Sequence, residues 1–309
     1  MFGLANAMDT KGGVLVLGAP GTLNHRGAVF VYERAGSGWG PPLRLDPPPS
    51  PEPWRDTGFG GAVALSEDGS LLVGHPGRDL VYVYRKQDGG WTIVETVTPP
   101  KSPGVLYMSF GGWIATEGDR LVVGAPGAMS DPDAPGYDPW AYSFGAVLSY
   151  ERSPNGAWAH RATVHGRQRQ ESKGYLGAPL YLQGNLVVTG AVEEVHLYDA
   201  ATLAPRALLT HPDPQDGDHI GGNIAVGEGW IAAGMELRRK GRGAVLVFRP
   251  DAAGVWGPSH VVEREAEKSG EFFGWAVAAD GPNLVVGAPG IGPGRREDGR
   301  VFVYRGDGR

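Results

Sequence analysis

Leu121-Val-Val-Gly-Ala-Pro-Gly127 is the stretch on which the fold turns. It returns as Leu284-Val-Val-Gly-Ala-Pro-Gly290, Leu71-Leu-Val-Gly-His-Pro-Gly77 and Leu15-Val-Leu-Gly-Ala-Pro-Gly21. Worn copies are Leu186-Val-Val-Thr-Gly-Ala-Val192 and Ile231-Ala-Ala-Gly-Met235. Upstream of each copy stands an apolar residue followed by glycine: Phe2-Gly3, Phe59-Gly60, Phe110-Gly111, Leu176-Gly177, Ile220-Gly221 and Phe273-Gly274. These pairs are 57, 51, 66, 44 and 53 residues apart. Downstream of each copy comes a short run ending in Tyr32, Tyr84, Tyr150, Tyr198, Phe248 or Tyr304. Trp39, Trp91, Trp158 and Trp256 follow seven or eight positions later, with Leu203 standing in once. The chain is one unit repeated six times.

Each unit reads as four strands. Phe59-Gly-Gly-Ala-Val-Ala64 and Val81-Tyr-Val-Tyr84 are short, rich in β-branched and aromatic residues, and bounded by turn residues. Glu67-Asp-Gly-Ser70, Gln87-Asp-Gly-Gly90 and Ala279-Asp-Gly-Pro282 carry hairpin-turn chemistry. No stretch holds a 3.6-residue period with caps, and Val262–Lys268 reads as a strand end plus loop. A period near 50 residues with four antiparallel strands predicts a β-propeller blade. The expected fold is therefore all-β, one propeller over 1–309, with units at about 2–58, 59–109, 110–175, 176–219, 220–272 and 273–309. Phe2 and its counterparts are expected to open first strands, and the glycine after each to let neighbouring blades approach closely. The sixth unit ends five residues after Tyr304, so its fourth strand is missing and its edge is open to self-pairing. Closure as seven blades with an irregular one is the alternative.

Composition agrees. The 51 glycines and 26 prolines among 309 residues suit many tight turns, while 41% hydrophobic residues and nine tryptophans supply a core. A net charge of −6 speaks against nucleic-acid binding. No apolar run reaches a membrane-spanning length, and no basic-then-apolar leader opens the chain. The absence of cysteine excludes disulfides, thiol catalysis and thiolate metal sites.

The sequence of Phe-Gly, Gly-Ala-Pro, Gly-Ala-Val-Phe-Val-Tyr and Trp resembles the FG-GAP repeats of integrin-α-like propellers over essentially the whole chain. It is most similar to the bacterial variety without calcium loops. The resemblance implies a propeller used for binding or adhesion, lectin-like, outside the cell or on its surface. It does not carry calcium across. The connections Ser66–Ser70, Glu117–Arg120 and Gln183–Asn185 are too short and too poor in carboxylates to surround an ion needing six oxygens or more.

Propellers bind through loops joining the second strand to the third and each blade to the next. The longest such loop here, 128–143, carries Tyr137, Trp140 and Tyr142. Blade connections add Trp54, Arg55, Tyr107 and Arg167. Aromatic faces beside charges suit a glycan or a protein partner, with sealing of the propeller's top as the plainer account. The expected function is a non-catalytic binding module. The alternatives are a propeller lyase or hydrolase at the channel mouth, and a structural repeat of a larger surface protein that self-associates through its last blade. Asp131, Asp133 and Asp138 partly match a calcium loop, but Pro135 interrupts it and solvated carboxylates explain it better. Asp218 and Glu271 precede their apolar-glycine pairs alike, so a structural role in the blade connection is expected of Asp218. Arg305-Gly306-Asp307 spells an adhesion tripeptide, yet it also continues the repeat into its next turn. His160 and His165, an odd number apart on a strand, are expected on opposite faces and so not as a metal pair. Basic spots at Arg238–Arg242 and Arg295-Arg296 read as solvated loop tips.

Overall fold

The computed structural model describes residues 8–52, 55–130, 143–166, 175–191, 193–215, 218–264, 270–290 and 299–305. The architecture is all-β, a six-blade propeller whose last blade has three strands. The chain divides into two compact units, 1–187 with 200–203 and 188–199 with 204–309.

In the first unit, blade one is β1 (Met8–Lys11), β2 (Val14–Gly18) and β3 (Val29–Ala35). Its outer position is shared by β4 (Gly38–Trp39) and β5 (Leu43–Leu45), both paired to β3. Blade two is the regular meander β6 (Val63–Leu65), β7 (Leu71–His75), β8 (Leu80–Gln87) and β9 (Gly90–Val97). A short β10 (Val105–Leu106) leads into blade three, which begins with β11 (Trp113–Glu117) and β12 (Arg120–Ala125). The long loop then starts with β13 (Met129–Ser130), which pairs back on β10. Blade three is completed by β14 (Ala146–Arg152) and β15 (Trp158–His165). The pleat decides the packing. Val81 and Val83 leave β8 on one side and join Phe110, Leu121 and Val123 of blade three. Tyr82 and Tyr84 leave it on the other and join Val29, Val31 and Phe59. Burial on both faces is why these strands read as continuous apolar runs.

The division between units falls within the fourth blade, β16 (Leu180–Gln183), β17 (Leu186–Ala191), β18 (Glu194–Asp199) and β19 (Pro205–Leu209). The second unit continues with blade five: β20 (Ile224–Gly227), β21 (Trp230–Gly234), β22 (Val245–Pro250) and β23 (Trp256–Val262). Blade six is β24 (Ala276–Asp280), β25 (Asn283–Ala288) and β26 (Arg300–Arg305). Ala225, Trp230, Val245, Phe273, Leu284 and Val286 form the core shared by blades five and six.

The apolar-glycine pairs do not open strands, as the sequence suggests they do. Phe59 lies outside the strand that begins at Val63, fully buried, and bridges to Gly27 at the end of the preceding blade's second loop. Leu176 meets Gly145 and Phe273 meets Gly243 in the same way. Blades two, four and six therefore each plug the blade before. A methyl group built on Gly27 would lie 2.0 Å from the Phe59 carbonyl oxygen, so only glycine admits the plug. Phe2 lies outside the described residues.

A second recurrence puts His160 and His165 on the same face, not on opposite faces. In blades two to five the third strand shifts register at its terminal aromatic, at Tyr84, Tyr150, Tyr198 and Phe248. Opposite Tyr150 the extra residue is Arg161, so Tyr150 faces His160 while Ala146 faces His165. The bulge cancels the odd spacing and puts both histidines on one face. Each is used in packing: His160 stands edge-on to Tyr150, and His165 against Phe144.

Candidate functional site

Asp56, in the connection into blade two, is the electrostatic centre of the first unit's loop face. Its side chain is almost wholly buried, and two guanidinium groups from successive blades hold it. Arg26 Nε donates to Asp56 Oδ2 at 2.8 Å, and Arg78 Nη2 donates to Oδ1 at 2.7 Å. Arg78 also donates to the Tyr82 hydroxyl and the Pro48 carbonyl. A carboxylate with both oxygens engaged tolerates burial, whereas one left bare does not.

His75 lies beneath this pair, in the place that Ala19, Ala125 and Ala288 fill in other copies. It is fully buried between Phe59 and Tyr82. Its Nε2 is 3.5 Å from Asp56 Oδ1, and neither ring nitrogen makes a hydrogen bond among the described residues. Burial, helped by the Arg78 charge, pulls its pKa down to about 4, although Asp56 pulls the other way.

Above the cluster lies a cavity of about 600 Å³, lined by Pro20, Gly21, His25, Thr57, Gly58, Pro76, Gly77 and Ser109. Four loops contribute: the second loops of blades one and two and the connections into blades two and three. Backbone bonds fix the walls. Gly58 donates to the His25 carbonyl at 2.8 Å, and Gly77 to the Thr57 carbonyl at 3.1 Å. The blade-one loop bends through three left-handed residues, Leu23, Asn24 and His25, and Ser109 is left-handed too. Side-chain-bearing residues rarely hold this conformation without a local reason. Prolines and an imidazole supply apolar walls, and the Thr57 and Ser109 hydroxyls supply polar contacts. Among the described residues no hydrogen bond joins either hydroxyl to a histidine or carboxylate.

Of the residues the sequence singles out, Arg55 sits beside this cavity. It donates from Nε to the carbonyl of the lining Gly77 at 3.3 Å and pairs with Asp79. Burial pushes the Asp79 carboxyl above its usual value despite Arg55 and the Ser109 and Phe110 amides. Tyr107 lies in the connection into blade three. Only 7% exposed, it stacks on His165, and its hydroxyl meets Ser102 and His165 at 3.1 Å. Its ring is part of the core shared by blades two and three. Trp54, Tyr137, Trp140, Tyr142 and Arg167, with Asp131, Asp133 and Asp138, lie outside the described residues, as does 306–309 of the adhesion-like tail. Asp218 is buried and paired with Arg238. His25, Thr57, Pro76 and Ser109 carry no sequence signal of binding, because they belong to the repeat's own turns.

The FG-GAP repeat family matches residues 267–304. No curated protein matches the chain. Among the solved structures that share the fold are the following two. A protein from Lactobacillus plantarum is 13% identical with a TM-score of 0.52, over 81% of this chain and 67% of that one. A structure titled putative 6-phosphogluconolactonase, from Bacteroides fragilis, is 13% identical with a TM-score of 0.50, over 83% and 69% of the two chains. At such identity the likeness is one of fold. No helix among the described residues is long and apolar enough to cross a membrane.

Proposed function

We propose that the chain is a non-catalytic binding module that takes the end of a glycan in the cavity beside Asp56. The observation that carries this reading is the cavity itself. About 600 Å³ of concave space between proline and imidazole walls, with two hydroxyls unengaged by histidine or carboxylate, fits one or two sugar rings. The neighbouring carboxylates Asp56 and Asp79 are bound by arginines, which leaves positioning, not proton transfer, as the site's chemistry. A setting outside the cell or on its surface goes with a glycan ligand. The test is binding on a glycan array, with the native chain beside Thr57→Trp, which fills the cavity from an exposed position. Loss of a glycan signal in the variant supports the reading, and equal signals refute it.

An enzyme is the second reading. It is favoured by the raised Asp79 carboxyl and by the lactonase title of one neighbour. Lactone hydrolysis by the native chain, lost in Asp79→Asn, would replace the binding reading.

Self-association belongs to this proposal as well. Val301 and Val303 of β26 are 70% and 68% exposed. Their counterparts Val81 and Val83, or Val245 and Val247, are buried by the following blade. The uncovered sheet face fits a second copy of the chain.

A further inference from the structure

Blade five has a loop of the same length and turn as the strained loop of blade one. Thr22 donates its amide to the Ala19 carbonyl and Gly27 to the Thr22 carbonyl; Arg238 and Gly243 repeat both bonds with Met235 and Arg238. The left-handed stretch Leu23-Asn24-His25 returns as Arg239-Lys240-Gly241. The turn itself is satisfied by leucine and asparagine, so the backbone does not ask for cations there. Blade five nonetheless sets Arg238, Arg239 and Lys240 in a row at the lip of a cavity of about 610 Å³, with Gln215, Asp218, His219 and Leu237 as the other walls.

The basic groups are not equally occupied. Arg238 is anchored: it pairs with Asp218 and donates from Nε to Glu263 at 3.0 Å. Arg239 Nη1 touches the other Glu263 oxygen at 2.6 Å and stays largely exposed. Lys240 is exposed and has no hydrogen bond or ion pair among the described residues. His219 leans away to Glu193 at 3.1 Å.

The cavity wall also holds an unmet acceptor. Asp218 occupies in this connection the part that Asp56 plays in the first unit, but its two oxygens are treated differently. Oδ2 takes Arg238, the Gln215 amide at 3.1 Å and the approach of His211 at 3.7 Å. Oδ1 is buried and receives no hydrogen bond among the described residues, with the side chain only 1% exposed. Buried carboxylate oxygens are ordinarily satisfied, so the bare one marks a place where a donor belongs. An exposed ammonium and guanidinium want an anion, and the bare oxygen of the lining Asp218 wants a hydroxyl.

We infer that this second cavity binds a small hydroxylated organic anion, a sugar acid or sugar phosphate. Its anionic group lies against Lys240 and Arg239, and one of its hydroxyls donates to Asp218 Oδ1. The reading is independent of the glycan site, since every residue in it belongs to the second unit.

The test is calorimetric titration of the Thr57→Trp chain, in which the first cavity is filled, with D-glucuronate, D-glucose 1-phosphate, D-glucose and inorganic phosphate. Glucuronate or glucose 1-phosphate is expected to bind at least about tenfold more tightly than glucose and phosphate, because each of those offers half of the recognised groups. Lys240→Ala and Arg239→Ala, at exposed positions that leave the fold intact, should each weaken that binding by about tenfold. Asp218→Asn should narrow the preference for the hydroxylated anion over phosphate. If Asp218→Asn does not fold, the lysine and arginine variants decide alone. Absence of binding, equal binding of phosphate, or affinity indifferent to Lys240 and Arg239 overturns the proposal; the two sugar anions, compared with each other, show whether carboxylate or phosphate is preferred.

Discussion

Arg26 reaches across from the second loop of blade one to donate a 2.8 Å hydrogen bond to Asp56, thirty residues later in the chain. The same carboxylate takes Arg78 of blade two, so one buried anion ties two blades under the proposed glycan site. The two cations differ in exposure, and so in worth. Arg78 is 11% exposed and Arg26 48%. Arg78→Ala leaves a buried carboxylate half bare and should cost about 3–5 kcal/mol. Arg26→Ala, where water replaces the lost donor, should cost about 1 kcal/mol or less. Urea unfolding midpoints of the two variants check the order, and equal losses would contradict it.

His75 makes stability depend on pH in a definite window. Its folded pKa of about 4 lies below the ordinary value of 6.5. Between the two the unfolded chain holds a proton that the folded chain refuses. The contribution is therefore fully present above pH 6.5 and declines as pH falls toward 4, by at most about 1.4 kcal/mol for each pH step of one within that window. His75→Leu removes the titration and keeps the side chain apolar between Phe59 and Tyr82. Its unfolding free energy should fall less steeply than the native chain's from pH 6.5 to pH 4, and parallel curves would dismiss His75 as the cause.

The plug makes one glycine indispensable where another is not. Gly27→Ala brings a methyl group to 2.0 Å from a backbone oxygen of Phe59, and backbone cannot step aside cheaply. Gly89, also left-handed at φ 81°, has open space where the methyl would go. Gly89→Ala should cost about 1–2 kcal/mol of backbone strain. Gly27→Ala should cost several times as much or abolish folding, which thermal melting followed by circular dichroism will show.

Much of this was legible because the repeat is its own alignment. Phe59, Phe110 and Phe273 mark blade starts in the sequence, and each is buried in the structure. The plugging role of Phe59 and Phe273 was hidden, because a bridge to Gly27 or Gly243 in the preceding blade leaves no local pattern. Bulges at Tyr84 and Tyr150 upset face assignments made by counting, since an unpaired residue breaks a period of two. Tyr107 stands out in the sequence as an aromatic in a blade connection, but its burial against His165 depends on a residue 58 positions later and leaves no local pattern. The two cavities were least visible. Their walls are the repeat's own prolines and glycines, and the left-handed turns at Leu23 and Arg239 occur in residues that give no hint of positive φ.

Blade six should govern association between copies. Val301→Lys with Val303→Lys charges the uncovered face while Phe302 and Tyr304 keep their contacts with Phe273. Light scattering over a concentration series should show the native chain growing in mass and the double variant remaining monomeric. A native chain that stays monomeric throughout removes this face as an interface.

The glycan reading is met most directly by a crystal structure of the chain soaked with the strongest oligosaccharide from the array. The expected result is a sugar ring between Pro20 and Pro76, with its hydroxyls on Thr57 and Ser109 and Asp56 still clasped by Arg26 and Arg78. A ligand bound elsewhere on the chain, with this cavity holding only water, would contradict the account.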